Sequence, residues 1–188
     1  MKLYLASSSP RRREILSSLG VDFEIIAPTA DESSDLTDPA RLTELLAKRK
    51  AQAAQKIKND GIIIGCDTVV YADGKILGKP RNTADAERML RSLAGKRHSV
   101  VSGICLLLGE KCITAHETTY VDFCPMSDSE IEKCARLGEP LDKAGAYAVQ
   151  GFASLYISGI EGDYFNVVGL PVNLLYRKLK EHFGIELK

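Results

Sequence analysis

The sequence predicts an α/β fold with a mixed β-sheet flanked by helices. Apolar segments with strand character alternate with segments of helical periodicity along nearly the whole chain of 188 residues. Asp73-Gly74 separates two apolar segments and is a hairpin turn signal. Two long strand-like segments, 99–108 and 111–123, follow one another directly. Hairpins make neighbouring strands antiparallel and strand–helix–strand connections favour parallel ones, so the predicted sheet contains both.

The N-terminal segment is predicted to be a buried strand followed by a helix. Residues 2–6 are mostly apolar, and Ser9-Pro10 is a typical helix start because Ser caps and Pro suits the first helical position. Gly20 is expected to end this helix. The polar stretch around residues 7–13 is therefore a loop that leads into a helix N-terminus.

A strand over 21–27 and an acidic loop over 28–38 precede the second predicted helix. This helix begins at Asp38-Pro39 and closes at Gly61. The residues that make it basic include Lys48, Arg49, Lys50 and Lys56. The residues expected on its apolar face are Leu42, Leu45, Leu46, Ala53 and Ile57.

Residues 62–71 are mostly β-branched and apolar, and the stretch Gly65-Cys66-Asp67-Thr68 interrupts this pattern. After the turn at Asp73-Gly74, a return strand is expected over 76–80. A helix capped by Asn82 or Thr83 should end at Gly95. The residues predicted to face its core are Ala86, Met89, Leu90 and Leu93.

The C-terminal third is predicted to contain two helices and a strand. Ser127 to Glu130 forms a capping box for a helix that ends at Gly138. The Gly-rich segment 139–162 contains an expected strand at 154–158, and a last helix runs from Pro171 to about Phe183-Gly184. With no repeat or linker visible, residues 1–188 are expected to form a single domain.

Composition narrows the classes of function. Basic and acidic residues number 25 each, and no Trp is present, which argues against a nucleic-acid-binding surface. No apolar segment is long enough to span a membrane, and the N-terminal segment is too short for a signal peptide, so the cytoplasm is the expected location.

Five cysteines without a CxxC pair argue against a disulfide framework or a structural zinc site, and most are expected to pack as small buried groups.

Two segments stand out as candidates for chemistry. Ser7 to Arg12 places hydroxyls and guanidinium groups beside a helix N-terminus, where phosphate binds well, although a plain N-cap with a solvated basic turn is equally consistent with the pattern. Asp67 lies between apolar segments, where a carboxylate is costly unless it is paired or binds a metal. We favour a functional role at a strand end over a capping Asp in a turn.

Three further segments are weaker candidates by themselves. Lys79 in Gly78-Lys79-Pro80 and Lys50 on the basic helix are suited to phosphate, but solvated lysines are the simpler interpretation. The segment 142–151 contains Gln150 and suits a binding loop, although an irregular surface segment fits its composition as well. The chain contains no P-loop, no GxGxxG fingerprint and no nucleophile elbow.

Taken together and in this order, these motifs resemble the Maf family of nucleoside triphosphate pyrophosphatases over nearly the whole chain. The matching stretches are Ser7-Ser8-Ser9-Pro10-Arg11-Arg12, Asp31-Glu32, Lys50-Ala51, Gly65-Cys66-Asp67-Thr68-Val69-Val70, Gly78-Lys79-Pro80, His98-Ser99-Val100-Val101-Ser102-Gly103, Glu139-Pro140-Leu141-Asp142-Lys143-Ala144-Gly145-Ala146-Tyr147, Gln150-Gly151 and Asn166-Val167-Val168-Gly169-Leu170-Pro171. The family usually has Ala at the position of Cys66 and Thr at that of Ser102, and both differences are small.

The resemblance implies an elongated α/β fold like that of inosine triphosphatases, cleavage between the α- and β-phosphates, a divalent cation such as Mg²⁺ or Mn²⁺, and often a homodimer. By resemblance, Asp67 is the catalytic proton acceptor, and Glu32 assists at the metal together with Asp67. The residues that would bind the triphosphate are Ser7, Arg11, Arg12, Lys50 and Lys79. Oxygen ligands suit such a cation, and clustered positive charge suits phosphoryl transfer. Whether Asp67 acts as base or as metal ligand stays open.

Substrate preference follows from the subfamily pattern. The pyrimidine-directed members carry Arg, Thr and Gln at the positions of Arg11, Thr68 and Gln150, and all three are present. A Gln amide can pair with the N3–H and a ring carbonyl of uracil or thymine, whereas cytosine lacks that N3–H. We therefore expect dTTP and UTP to be preferred. A pyrophosphatase for modified nucleotides and a regulatory nucleotide-binding protein of cell division are the alternatives.

Overall fold

A computed structural model describes residues 1–137 and 140–187. The strands are β1 (Leu3–Ala6), β2 (Glu24–Ile26), β3 (Ile62–Ala72), β4 (Lys75–Leu77), β5 (Arg97–Leu108), β6 (Lys111–Phe123) and β7 (Ile157–Glu161). The α-helices are α1 (Pro10–Ser18), α2 (Pro39–Gln55), α3 (Thr83–Leu93), α4 (Asp128–Leu137), α5 (Tyr164–Val168) and α6 (Val172–Phe183). Three short 3₁₀ helices lie between α4 and β7.

The seven strands form one mixed sheet, as the sequence predicts. The strand order is β2-β1-β3-β5-β6-β7, and β4 pairs with β3. β1 is parallel to both β2 and β3, whereas β3 is antiparallel to β4 and β6 is antiparallel to β7. The predicted turn at Asp73-Gly74 is confirmed, and both residues have positive φ (49° and 76°), as a two-residue hairpin turn requires.

The chain divides into two compact units, each made of non-contiguous segments. The first unit contains Met1–Thr68, Ser102–Glu117 and the residues from Gly169 onward, and the second contains Val69–Val101 and Thr118–Val168. β3, β5 and β6 contribute residues to both units. Whether the chain acts as the predicted single domain stays a prediction.

The core of the first unit lies where α2 packs on the sheet. Ala47, Ala51 and Ala54 of α2 are fully buried against Tyr4 of β1 and Cys105 of β5. Small residues are required here because a Cβ on Gly65 or Gly103 would lie within 2.6 Å of the α2 backbone. The two glycines therefore let the helix approach the sheet closely.

The buried face of α2 differs from the predicted face. Its buried residues are Thr43, Leu46, Ala47, Ala51 and Ala54. Only Leu46 was predicted correctly, and Ile57 lies beyond the helix end and is 63% exposed. The physical reason is the close approach at the sheet glycines, which selects small side chains over large apolar ones.

The second unit has a separate apolar core around α3 and α4. Ala86, Met89, Leu90 and Leu93 of α3 are buried as predicted, and Asn82 caps this helix by accepting a hydrogen bond from the Asp85 N–H. The capping box at Ser127 and Glu130 is also confirmed by the reciprocal hydrogen bonds between these two residues. The predicted helix end at Gly138 and the start of the 139–162 segment lie outside the described residues.

A buried aromatic cluster lies in the core of the second unit. The rings of His98, Phe123 and Tyr147 pack edge to face, and His98 Nε2 lies 2.7 Å from the Tyr147 hydroxyl. His98 Nδ1 is buried and has no hydrogen-bond partner among the described residues. Burial lowers the pKa of His98 to about 4, so the ring is neutral at neutral pH.

Two predictions about the C-terminal region need correction. The strand expected at 154–158 is instead β7 at Ile157–Glu161, because residues 152–156 form a 3₁₀ helix. Helix α5 at Tyr164–Val168 was not predicted, since five residues are too few to show helical periodicity. Helix α6 begins at Val172 after Pro171, in agreement with the prediction.

In the described part of the chain, no helix combines the length and apolar character needed to cross a membrane.

Candidate active site

Asp67 lies inside β3, and not at a strand end or in a turn as considered from the sequence. It lies between the buried Cys66 and the half-buried Thr68 on the same strand and is itself 8% exposed. A carboxylate in this environment needs positive charge close by, because desolvation of an unpaired charge is costly. The structure supplies that charge from α2.

Lys50 of α2 links Asp67 to Glu32. Its Nζ lies 2.5 Å from Asp67 Oδ1 and 2.8 Å from Glu32 Oε1. Burial by itself would lower the pKa of Lys50, but the adjacent Asp67 and Glu32 carboxylates outweigh it and raise the pKa above its ordinary value. The lysine therefore stays charged, and two carboxylates converge on one ammonium group.

The loop that carries Glu32 is fixed to the same helix. Arg49, which precedes Lys50, donates hydrogen bonds to the backbone carbonyls of Asp31 (3.2 Å) and Ser33 (2.6 Å). Glu32 itself remains exposed, with 60% of its side chain accessible. The loop thus presents a solvent-accessible carboxylate beside the more buried Asp67.

Arg12 of α1 connects the loop before that helix with β3 and the segment before α6. Its Nε donates to the Gly169 carbonyl (2.7 Å), and its Nη1 donates to the Cys66 carbonyl (2.9 Å) and to Ser7 Oγ (3.3 Å). Its Nη2 donates to Thr68 Oγ1 (3.0 Å). The guanidinium therefore holds both neighbours of Asp67 along β3.

Thr68 and Ser7 complete this network. Thr68 Oγ1 also lies 2.8 Å from Ser102 Oγ of β5, and Ser7 Oγ accepts the Ser9 N–H (3.1 Å). Ser9 is the N-cap residue of α1, as predicted, but its side chain makes no capping hydrogen bond. Ser7 instead turns its hydroxyl toward the helix start, where free N–H groups favour an anion.

These features agree with a family match. The model of the Maf-like protein family matches residues 2–182. The chain belongs to the Maf family. A "dTTP/UTP pyrophosphatase" of Symbiobacterium thermophilum is 46% identical over 184 residues, which cover 97% of this chain and 94% of the relative. A "dTTP/UTP pyrophosphatase" of Bacillus cereus strain Q1 is 42% identical over 187 residues, which cover 99% and 97%.

A solved structure supports the fold of this Maf-family chain. The Ham1 protein of Staphylococcus aureus superposes with a TM-score of 0.55, covering 96% of this chain and 99% of that protein. At 15% identity this likeness concerns the fold alone. The predicted inosine-triphosphatase-like class of mixed α/β fold is therefore confirmed.

The site residues inferred from the Maf resemblance fall into two groups in the structure. In the first unit, Arg12 donates hydrogen bonds to Ser7 and Thr68, and Lys50 pairs with Asp67 and Glu32. The two sets meet at β3, where Asp67 and Thr68 are adjacent. Arg11 also belongs to this unit and is half-buried on α1. Lys79 and Gln150 belong to the second unit, and both are exposed.

Three groups in the network had no role in the sequence analysis. They are the carbonyl of Gly169, the carbonyl of Cys66 and the hydroxyl of Ser102. Backbone carbonyls carry no side-chain signal, so no pattern could have identified the first two. The sequence shows Ser102 only as a departure from the usual Thr. In the structure, its hydroxyl forms a hydrogen bond with Thr68.

The carboxylate pair fits a divalent cation in its chemistry. Residues 1–137 and 140–187 contain no group of three or more His, Cys, Asp or Glu side chains placed to hold a metal ion. Asp67 and Glu32 are nevertheless hard oxygen donors that already share one positive charge. A substrate that brings its own phosphate oxygens can supply the remaining ligands of a Mg²⁺ or Mn²⁺ ion.

Proposed function

We propose that this chain hydrolyses nucleoside triphosphates between the α- and β-phosphates, releasing a nucleoside monophosphate and pyrophosphate. The activity is supported by two relatives, 46% and 42% identical over nearly the whole chain, that are named dTTP/UTP pyrophosphatase. The observation in the structure that carries the proposal is the partly buried Asp67 carboxylate, which is held beside Lys50, Glu32 and Arg12. Lys50 contacts this carboxylate and Arg12 contacts its two neighbours on β3, so positive charge of the kind that a triphosphate needs lies close by.

In the proposed reaction, Asp67 accepts a proton from the attacking water as the new oxygen–phosphorus bond forms at the α-phosphate. The bond between the α-phosphorus and the bridging oxygen breaks, and pyrophosphate leaves with that electron pair. Ser7, Arg11, Lys50 and Lys79 would bind the phosphate oxygens. Arg12 would contribute positive charge while it holds the residues around Asp67.

A divalent cation is part of this proposal. Asp67 and Glu32 are the residues that would hold it, and when bound it would neutralise charge on the phosphate oxygens. Because both carboxylates contact Lys50, the lysine must give up part of that contact to the cation and the triphosphate. We expect activity to be lost with a chelator and restored by Mg²⁺ or Mn²⁺.

Base preference is proposed to favour dTTP and UTP. Arg11, Thr68 and Gln150 match the pyrimidine-directed pattern, and the relatives bear that substrate in their names. Faster hydrolysis of CTP or 7-methyl-GTP than of both UTP and dTTP would contradict this preference. A panel that includes pseudo-UTP and 5-methyl-UTP separates it from a role in removing modified nucleotides.

The deciding experiment is product analysis by chromatography after incubation of the protein with a divalent cation and each common NTP and dNTP. We expect UMP or dTMP together with pyrophosphate, and we expect Asp67→Asn to abolish turnover. Asp73→Asn is the matched control, because Asp73 lies in the exposed β3–β4 turn and Asn tolerates its positive φ. UDP plus phosphate would place cleavage at the wrong bond, and absence of turnover would favour the regulatory binding protein.

Two properties of the assembled protein belong to the same proposal. We expect a homodimer, as the family resemblance implies, and sedimentation of the purified protein would check it. We also expect the cytoplasm to be its location, where its nucleotide substrates occur. Fractionation of cells that express a tagged chain would test that expectation.

A further inference from the structure

Two of the five cysteines contact each other at the hairpin between β5 and β6. The Sγ atoms of Cys105 and Cys112 are 3.7 Å apart, which is within reach of a thiol–thiol hydrogen bond. Both residues belong to the first unit, and both are free thiols. Among the cysteines, this pair therefore has the geometry of a dithiol.

The two thiols differ in access. Cys105 is fully buried in the apolar cluster that also contains Ala47 and Ala51 of α2, whereas Cys112 is half-buried against the same cluster. Burial and the adjacent Cys112 raise the pKa of Cys105 well above its ordinary value. Reagents in solution would therefore meet Cys112 first, with Cys105 directly behind it.

We propose that Cys105 and Cys112 form an oxidisable dithiol site whose co-reactant is a small-molecule disulfide. The Cys112 thiolate attacks one sulfur of the reagent, which forms a mixed disulfide and releases the first small thiolate. Cys105 then gives its proton to that thiolate and attacks the Cys112 sulfur, which expels the second small thiolate. This thiolate takes up the proton that Cys112 released when it ionised. The protein loses two hydrogen atoms and two electrons, and the reagent is reduced to two thiols.

The other three cysteines lie in different surroundings. Cys66 is fully buried in β3 and its thiol donates to the Gly169 carbonyl, and Cys134 is buried in the core of the second unit. Cys124 is half-buried like Cys112 but belongs to the second unit. Cys124 is therefore the matched control for a half-buried thiol outside the pair.

The test treats the purified protein with oxidised glutathione at neutral pH, traps the remaining thiols with iodoacetamide and measures the intact mass. We expect the protein to lose two hydrogen atoms at the pair and to keep no glutathione on Cys112. Trypsin cleaves after Lys111 and so separates the two cysteines, which makes the disulfide visible as two linked peptides. Because Cys112 and Cys124 share one tryptic peptide, the Cys124→Ala protein is analysed in parallel and should form the same link.

The variants distinguish the two steps. Cys105→Ala should stop after the first exchange and keep one glutathione on Cys112, whereas Cys112→Ala should acquire neither the link nor that adduct. Circular dichroism checks that Cys105→Ala folds, and the half-buried Cys112→Ala variant keeps the test decisive if it does not. Stable glutathione on Cys112 of the unmodified protein, a link through another cysteine, or no reaction at the pair would each overturn the proposal.

Discussion

At the scale of single residues, Arg12 connects several parts of the candidate site by hydrogen bonds. Its guanidinium donates to the two neighbours of Asp67 on β3, to Ser7 in the loop before α1 and to the Gly169 carbonyl before α6. A lysine carries the same charge but lacks the planar array of donors. We predict that Arg12→Lys lowers kcat/KM for UTP by about 100-fold, because about 3 kcal/mol of organised hydrogen bonding is lost.

The control for this prediction is Arg13→Lys, since Arg13 is exposed on the next position of α1. We expect that variant to keep its kcat and KM. If Arg12→Lys stayed within about threefold of the unmodified protein, the network would be dispensable and Arg12 would act as charge alone. A larger change in kcat than in KM would indicate that Arg12 mainly positions Asp67.

His98 makes stability depend on pH. The folded protein lowers its pKa to about 4, whereas in the unfolded chain the ordinary value of about 6.5 applies. Between these two pKa values, the unfolded chain therefore binds a proton that the folded protein does not bind. The contribution of His98 to the free energy of unfolding is fully present above about pH 6.5 and decreases as the pH falls toward 4. We predict a loss of about 2 kcal/mol between pH 7 and pH 5 from this residue.

Urea denaturation of the unmodified protein and of His98→Asn at both pH values measures this effect. Asn cannot titrate, so the variant should lose less stability on acidification, although it is less stable at pH 7. Equal pH dependence in the two proteins would mean that His98 is accessible to protons in the folded state.

The site residues show which features a sequence can reveal. Asp67 stood out because a carboxylate among apolar residues is costly, and the structure indeed pairs it with Lys50. The pairing itself was not predictable, since Lys50 lies on another element and resembles any solvated lysine by composition. The roles assigned to the individual residues remain predictions until the variants are measured.

At the scale of elements, the contact between α2 and the sheet depends on glycine. A Cβ on Gly65 would lie 2.1 Å from the Ala47 carbonyl oxygen, which belongs to the helix backbone and cannot rotate away. We predict that Gly65→Ala lowers the free energy of unfolding by about 3 kcal/mol or more. Thermal unfolding followed by circular dichroism would measure the change.

Gly78→Ala is the matched control for that substitution. In the described part of the chain no atom lies within 4 Å of a Cβ built on Gly78, and its φ is not positive. This variant should unfold within about 0.5 kcal/mol of the unmodified protein. If both variants lost a similar amount of the free energy of unfolding, the contact of Gly65 with α2 would not be the cause of the loss, and a change in chain flexibility would explain it.

The starts of α2 and α3 were easier to predict than the buried face of α2. Asp38-Pro39 and Asn82 fix helix starts through local hydrogen bonds, and both were correctly predicted. The buried face of α2 was wrong because its orientation is set by Gly65 and Gly103, which lie on strands distant in sequence. Local chemistry decides where a helix begins, whereas tertiary contacts decide which side is buried.

At the scale of the whole molecule, charge balance determines solubility. The formal net charge is zero and the calculated isoelectric point is about 6.8. Molecules without net charge repel each other least, so we predict a solubility minimum near that pH. Precipitation by polyethylene glycol across a pH series would locate it. Replacing exposed Lys56 by Glu should move the minimum to lower pH, and an unchanged minimum would contradict a charge-based cause.

The non-contiguous make-up of the first unit has a consequence for the order of events during protein synthesis. Arg12 and the Gly169 carbonyl that it contacts are separated by 157 positions, and the residues from Gly169 onward belong to the same unit as the N-terminal strands. A ribosome must therefore translate the chain beyond position 169 before this hydrogen bond can form. Until then β1, α1 and α2 lack part of their unit, and the nascent chain depends on protection from premature association. Contacts between such distant positions also slow folding, so the site cannot be assembled before the residues around Gly169 have emerged, however early the first strands appear.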